Sequence, residues 1–146
     1  MKIKTTSTYA KWPPDPPETL KDLRADPLAF SAIQAFMNLQ QKPADPWNTA
    51  CIALISSHWG THHKKVLEAC RERRVRAGNF IRMGPHTIAT YLATACGLHG
   101  PAFALLDQSL EEALKIGETL LVCSMASDVC VISVEETSCT ATLVGL

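Results

Sequence analysis

The chain has 146 residues, of which 47% are hydrophobic, and this length and composition predict a single domain with a core of its own. Its 14 basic and 14 acidic side chains cancel to a net charge of zero. This balance gives no chain-wide attraction to nucleic acid or to an anionic membrane, so we expect neither as a partner.

The apolar segments give an expectation about location. No apolar run approaches the ~20 residues that span a bilayer, and the start of the chain lacks the apolar core of a signal peptide. We therefore expect a cytoplasmic protein.

The six cysteines and the glycines bear on metals and cofactors. The cysteines form no Cys-x-x-Cys pair and several lie within apolar runs, so we expect reduced, mostly buried thiols and no metal site. No glycine-rich phosphate loop is present, and we expect no cofactor.

The first third of the chain predicts a strand, a rigid connector and a helix. A short strand is expected from Ile3 to Tyr9, followed by a proline-rich connector over 12–17 that can continue neither a helix nor a central strand. Asp26 is a suitable N-cap, with Pro27 in the first helical turn. The apolar face of this helix has the 3.6-residue period and comprises Ala29, Ala32, Ile33 and Phe36.

The middle of the chain predicts a buried strand and two helices. Thr49 to Ile55 is a continuous apolar run, which is typical of a parallel strand buried on both faces, and Trp47 before it is expected to cover an edge of the core. A second helix is predicted over 62–74. A third, from Thr87 to Cys96, is rich in small residues, which favours a central position or an interface.

The last third predicts a strand, a helix and further strands. The strand spans Ala102 to Leu106, and the helix runs from about Ser109 to Ile116 and ends at Gly117. Apolar runs predict strands at Thr119 to Cys123 and at Val129 to Val134, with another over 141–144. Strands that alternate with helices and close on successive strands indicate an α/β sandwich of layers.

Residues 84–114 carry a resemblance to a known family. A small-residue helix from Thr87 to Cys96 leads to Gly100-Pro101, a strand, a turn and a further helix. This order resembles the N-terminal half of β-ketoacyl synthases and of their chain-length-factor relatives. The resemblance implies one ketosynthase N-terminal-like domain over 1–146. It also implies a layered α/β/α sandwich with a mixed central sheet, similar to one half of a thiolase-like fold.

The resemblance fails at the catalytic position. The family's nucleophilic cysteine lies about eight positions beyond the proline, and the same count from Pro101 gives Ser109. Chain-length factors, which are catalytically silent, often carry glutamine at this turn, and Gln108 is one position away. The family's two decarboxylation histidines belong to the C-terminal half, which this sequence does not contain.

These departures imply a non-catalytic accessory protein of fatty-acid or polyketide biosynthesis. A lone half is expected to expose an apolar face, so its partner would be a ketosynthase-like subunit or a second copy in a homodimer. It would line or shorten an acyl tunnel, or hold an acyl carrier protein. A remnant of a truncated ketosynthase, with no function of its own, is a further alternative.

The turn itself supports two interpretations. Asp107, Gln108 and Ser109 are candidates for a vestigial site in which Ser109 is a weak nucleophile and His86 or His99 a base. Asp107 and Ser109 equally suit the capping of a helix. The enzymatic alternative is a small acyl-transferring or acyl-hydrolysing enzyme whose site is completed at a dimer interface, with Ser109, Cys96 or Cys123 as nucleophile.

Two further clusters are candidates for binding. His58, His62 and His63 follow a buried strand, yet no carboxylate or cysteine stands near them, so we expect a structural or surface role. A basic segment has a local excess of five positive charges, which suits docking of an acidic acyl carrier protein or, more simply, a solvated helix face. Its members are Lys64, Lys65, Arg71, Arg73, Arg74, Arg76 and Arg82.

Overall fold

The computed structural model describes residues 1–11, 13–15, 27–55, 67–74, 84 and 86–146. Its strands are β1 (Lys2–Tyr9), β2 (Thr49–Ile55), β3 (Ala102–Leu106), β4 (Asp128–Val134) and β5 (Cys139–Gly145). Its principal helices are α1 (Pro27–Met37), α2 (His86–Cys96) and α3 (Leu110–Val122), with a 3-10 helix at Pro46–Asn48. Residues 67–71 are also helical.

The five strands form one mixed sheet in the order β1-β5-β4-β2-β3. β2 is parallel to both β3 and β4, whereas β5 is antiparallel to both β1 and β4. Four strands therefore begin at one end of the sheet, which we call the amino end, and finish at the other, the carboxyl end. β3 lies at the side of the sheet and has β2 as its neighbour.

Apolar side chains cover both faces of the sheet, because successive strand residues point to opposite sides. Cys51, Ala53 and Ile55 belong to a core cluster shared with α1 and α2. Ala50, Ile52 and Leu54 belong to a second cluster, which α3 closes. The predicted α/β/α sandwich with a mixed sheet is confirmed.

One predicted strand is wrong. Thr119 to Cys123 is the end of α3, which continues through Gly117 to Val122. Ala113, Gly117, Leu120 and Leu121 are buried at helical spacing against the sheet. A Cβ at Gly117 would lie 3.4 Å from Val129 Cγ1, so this glycine lets the helix pack close to β4 and does not end it. The apolar run that suggested a strand is the buried side of this last helical turn.

Other predictions fall partly outside the described residues. The proline-rich connector over 12–17 and the cap at Asp26 belong to this group. Of the helix predicted over 62–74, the structure describes residues 67–74. Within the described part of the chain, no helix is both long and apolar enough to cross a membrane.

Candidate functional site

The turn between β3 and α3 lies at the carboxyl end of the parallel strands, where α/β proteins commonly bind ligands. The Asp107 amide donates to the Ile55 carbonyl over 3.2 Å, which extends the β2–β3 pairing by one residue. Asp107 itself adopts φ = 54°, a left-handed conformation that aspartate tolerates better than most residues. The backbone thus reverses sharply before the helix begins.

Ser109 is the N-cap of α3, and its hydroxyl both donates and accepts a hydrogen bond. Its Oγ accepts from the Glu112 amide at 3.2 Å and lies 2.9 Å from Glu112 Oε2, to which it donates. The Ser109 amide donates to the same carboxylate over 2.8 Å, which completes a capping box. These hydrogen bonds from Ser109 lower the pKa of the Glu112 carboxyl. The geometry is that of a helix start.

A small cleft of about 190 Å³ opens beside this turn. Apolar side chains from β2, β4 and α3 form part of its wall, and polar groups from the turn and from the end of β4 form the rest. The lining residues are Leu54, Ile55, Asp107, Gln108, Leu110, Ser133, Val134 and Glu135. Gln108 and Asp107 are thereby brought to one cleft, as their sequence neighbourhood suggested.

Neither of the described histidines is hydrogen-bonded to Ser109. His86 is the exposed first residue of α2, and its ring packs over Gly84, where a Cβ would come within 2.2 Å of the ring. His99 lies at the amino end, where its ring stacks on Trp47 with centroids 3.9 Å apart. Neither forms a hydrogen bond to Ser109 among the described residues.

The same stack corrects the expectation for Trp47. Its side chain is 73% exposed and lies on the surface beside His99, not over the edge of the core. The 3-10 helix explains this position, because Asp45 caps it by accepting from the Trp47 amide and so holds the indole outward. His58, His62 and His63 lie outside the described residues, within which no group of three metal-binding side chains is assembled.

Burial makes three of the cysteines, Cys51, Cys96 and Cys130, weak nucleophiles. All six are free; Cys51, Cys130 and Cys139 are buried, and Cys70 and Cys123 are exposed. Burial raises the pKa of the Cys51 thiol to about 12 and that of the partly exposed Cys96 thiol to about 11. Cys96 is therefore protonated at neutral pH and unsuited to covalent catalysis there.

Part of the basic segment can be placed. Arg71, Arg73 and Arg74 are exposed, and Arg74 pairs with Glu72 at 3.5 Å. Arg73, two positions after the helical residues 67–71, has φ = 54°, as at a helix terminus. Lys64, Lys65, Arg76 and Arg82 lie outside the described residues.

α3 covers only part of its face of the sheet, and the uncovered part of that face is polar. On β1 and β5 it presents paired threonines: Thr8 and Thr140 hydroxyls are 2.9 Å apart, and Thr6 donates to Thr142 over 3.4 Å. The outer side of α3 carries a Glu111–Lys115 ion pair of 2.7 Å. The expected apolar face is therefore absent on this side of the described structure.

Exposed apolar residues lie instead at the side and ends of the sheet. β3 is apolar throughout, and its residues Ala102 and Leu106 are exposed. Backbone hydrogen bonds join the two ends of β3 to β2. The Cys51 amide donates to the Pro101 carbonyl, and the Asp107 amide donates to the Ile55 carbonyl. Because parallel ladders use alternate residues, the backbone groups of Ala102, Ala104 and Leu106 point away from β2, to the open side.

Comparison with solved structures identifies the fold. The chain matches a structure titled "The ishigamide ketosynthase/chain length factor" with a TM-score of 0.70 and 18% identity, over 85% of this chain and 44% of that one. The chain has a ketosynthase-like fold. A second match is a chain from the structure titled "Ketosynthase (ApeO) in Complex with its Chain Length Factor (ApeC) from Xenorhabdus doucetiae", with a TM-score of 0.69 and 12% identity. It covers 99% of this chain and 78% of the matched one.

The ketosynthase-like fold is thus found in a chain that spans less than half of the first matched structure. No protein-family model matches the sequence, and no curated protein matches it either. The resemblance in residues 84–114 is confirmed at the level of fold.

Proposed function

We propose that this chain is a non-catalytic, ketosynthase-like accessory protein of polyketide or fatty-acid biosynthesis that acts by binding a ketosynthase. The observation that carries the proposal is Ser109. In a ketosynthase-like fold, the residue at the counted nucleophile position is a serine whose hydroxyl is held by Glu112 in a capping box. The serine supplies no thiolate, and its hydroxyl serves the helix N-cap.

The solved structures support a ketosynthase partner. Both are named for a ketosynthase together with a chain length factor. In the second structure, the match includes 99% of this chain and 78% of the matched chain. The matched chain is therefore only modestly longer than this one, and it belongs to a structure of such a complex. A short chain of this fold is accordingly suited to work beside a ketosynthase subunit or, in a homodimer, beside a second copy.

The open side of β3 is the surface we assign to that partner. An apolar side strand whose outward backbone groups have no partner among the described residues tends to recruit another strand. The face over α3 is less suitable, since it offers ion pairs and threonines. The function that follows is one of shape, in which the cleft at Gln108 and Leu110 limits the acyl space of the assembly.

Acyl carrier protein is the second partner in this proposal. Carrier proteins are acidic, and the exposed guanidinium groups of Arg71, Arg73 and Arg74 would attract such a surface. The whole basic segment, with Lys64, Lys65, Arg76 and Arg82, would form the docking site.

The test uses a proline at the open side of β3. The chain is co-expressed with ketosynthases from the same source and the complex is measured by light scattering. Ala104→Pro removes an amide that points away from β2, which side strands tolerate, so the fold should persist while the complex is lost. Ala104→Val, which keeps the amide, is the matched control and should bind as the native chain does.

The outcomes separate the hypotheses. Equal binding by the native chain and Ala104→Pro would remove β3 from the interface but leave the partnership. Failure of the native chain to bind any ketosynthase would overturn the proposed function. Covalent labelling by an acyl or fluorophosphonate probe that Ser109→Ala abolishes would favour the acyl-transferring or acyl-hydrolysing enzyme instead.

A further inference from the structure

A larger cleft lies at the amino end of the sheet, where α1 and α2 both finish. It has a volume of about 310 Å³, at the lower end of the range for small-molecule sites. Its walls are apolar except for one ammonium and one thiol. The lining residues are Phe36, Met37, Lys42, Pro43, Pro46, Ala95, Cys96 and Leu98.

Lys42 is fixed in the wall of this cleft. Its ammonium donates to the carbonyls of Phe36 and Met37, each over 2.7 Å, and lies 5.2 Å from the centre of the Phe36 ring. An ammonium has three N–H donors, so one remains for a ligand. No carboxylate of the described residues lies within ion-pair distance of Lys42.

Besides these two carbonyls at the end of α1, no described group of the wall carries negative charge. Desolvation lowers the pKa of Lys42, although the residue as a whole is exposed. Burial also raises the pKa of Cys96 to about 11 and raises that of Cys130, so both neighbouring thiols are neutral near pH 7. The cleft thus combines apolar walls with an oriented ammonium that has no carboxylate partner among the described residues.

We propose that this cleft binds a small apolar carboxylate, either an aliphatic or an aryl carboxylic acid in its ionised form. One carboxylate oxygen accepts the free N–H of Lys42, and the apolar body contacts Phe36, Ala95 and Leu98. The carboxylate gains a charge-assisted hydrogen bond from the ammonium, and the ligand buries its own apolar surface. The proposal is independent of the ketosynthase partnership, because this cleft lies at the other end of the strands from Gln108 and Ser109.

Cys96 provides a reporter within the cleft. Its slow alkylation by iodoacetamide near neutral pH, where Lys42 is charged, is followed by mass spectrometry, with the exposed Cys70 and Cys123 as internal controls. Octanoate and 4-phenylbutyrate should slow the alkylation of Cys96 in a saturable manner and leave Cys70 and Cys123 unchanged. Octanol and octanamide, which have the apolar body without the charge, should protect at least about tenfold less tightly, as expected for loss of a charge-assisted hydrogen bond.

Variants of Lys42 test the charge directly. Lys42→Met should weaken octanoate at least about tenfold and bring it level with octanol, whereas Lys42→Arg should retain the preference for the acid. Lys115→Met, on the exposed side of α3, is the matched control and should change nothing. Equal protection by octanoate and octanol on the native chain would overturn the role of Lys42. Absence of saturable protection by both carboxylates would overturn the site.

Discussion

The two ends of the sheet differ in what their side chains do. At the carboxyl end, Asp107, Gln108 and Ser109 are exposed, and the Ser109 hydroxyl is hydrogen-bonded in the N-cap of α3. At the amino end, buried polar groups and close backbone contacts hold the strands together, and the larger cleft lies beside them. Ligands of α/β proteins usually gather at the carboxyl end. Here that end presents groups that cap a helix, and the amino end carries the stricter structural demands.

The largest effect is expected from Asp128 at the amino end. This carboxylate is only 1% exposed, pairs with Lys4 of β1, and accepts from the Ala44 amide over 3.1 Å. It therefore joins β1, β4 and the segment after α1. Asp128→Ala should lower the free energy of unfolding by about 3 kcal/mol or more, because it leaves a partly buried cation and an amide without their acceptor. Urea denaturation measures the change.

An exposed ion pair serves as the control for Asp128. Lys11 and Asp15 also pair, but both side chains are largely in water. Asp15→Ala should change the free energy of unfolding by less than about 1 kcal/mol. Similar losses for both variants would mean that Asp128 does not join the strands as described.

Glycines near the amino end should give the next largest effect. A Cβ at Gly100 would come within 2.4 Å of the Thr49 carbonyl oxygen, which is backbone and cannot rotate away. Gly100→Ala should therefore cost about 2–3 kcal/mol of unfolding free energy. Gly97, at φ = 65°, has no atom within 4 Å of the same position, so Gly97→Ala should cost only about 1 kcal/mol. A thermal melt in which Gly97→Ala is the less stable variant would contradict this packing.

The parts of the fold that sequence reasoning predicted are those that local patterns determine. β2 and β4 were predicted because residues buried on both faces form uninterrupted apolar runs. α3 was cut short because Leu120, Leu121 and Val122 form a similar run, and only contact with the sheet distinguishes the two cases. Asp107, Gln108 and Ser109 were brought together by adjacency in sequence.

The rest depends on contacts between distant segments. Trp47 and His99 are 52 positions apart in the sequence, and their stack forms because the 3-10 helix before β2 meets the loop before β3 at the amino end. The cleft around Lys42 likewise needs the ends of α1 and α2 to meet, and no spacing in the sequence encodes that meeting. A lysine close to the end of an apolar helix was the only local signal, and by itself it predicts a surface charge.

The smallest effect belongs to the carboxyl end. Ser109→Ala removes the hydroxyl half of the capping box and should cost about 1 kcal/mol of unfolding free energy, measured by urea denaturation. Because hydrogen bonds from Ser109 lower the pKa of Glu112 in the folded chain, the stabilisation from this carboxylate is present above its unfolded pKa and fades as pH falls through the folded one. Glu112→Gln should flatten that acidic part of the stability profile. If Ser109→Ala cost nothing in stability yet impaired the function of the proposed complex with a ketosynthase, the carboxyl end would have a reactive role that its geometry in the free chain does not suggest.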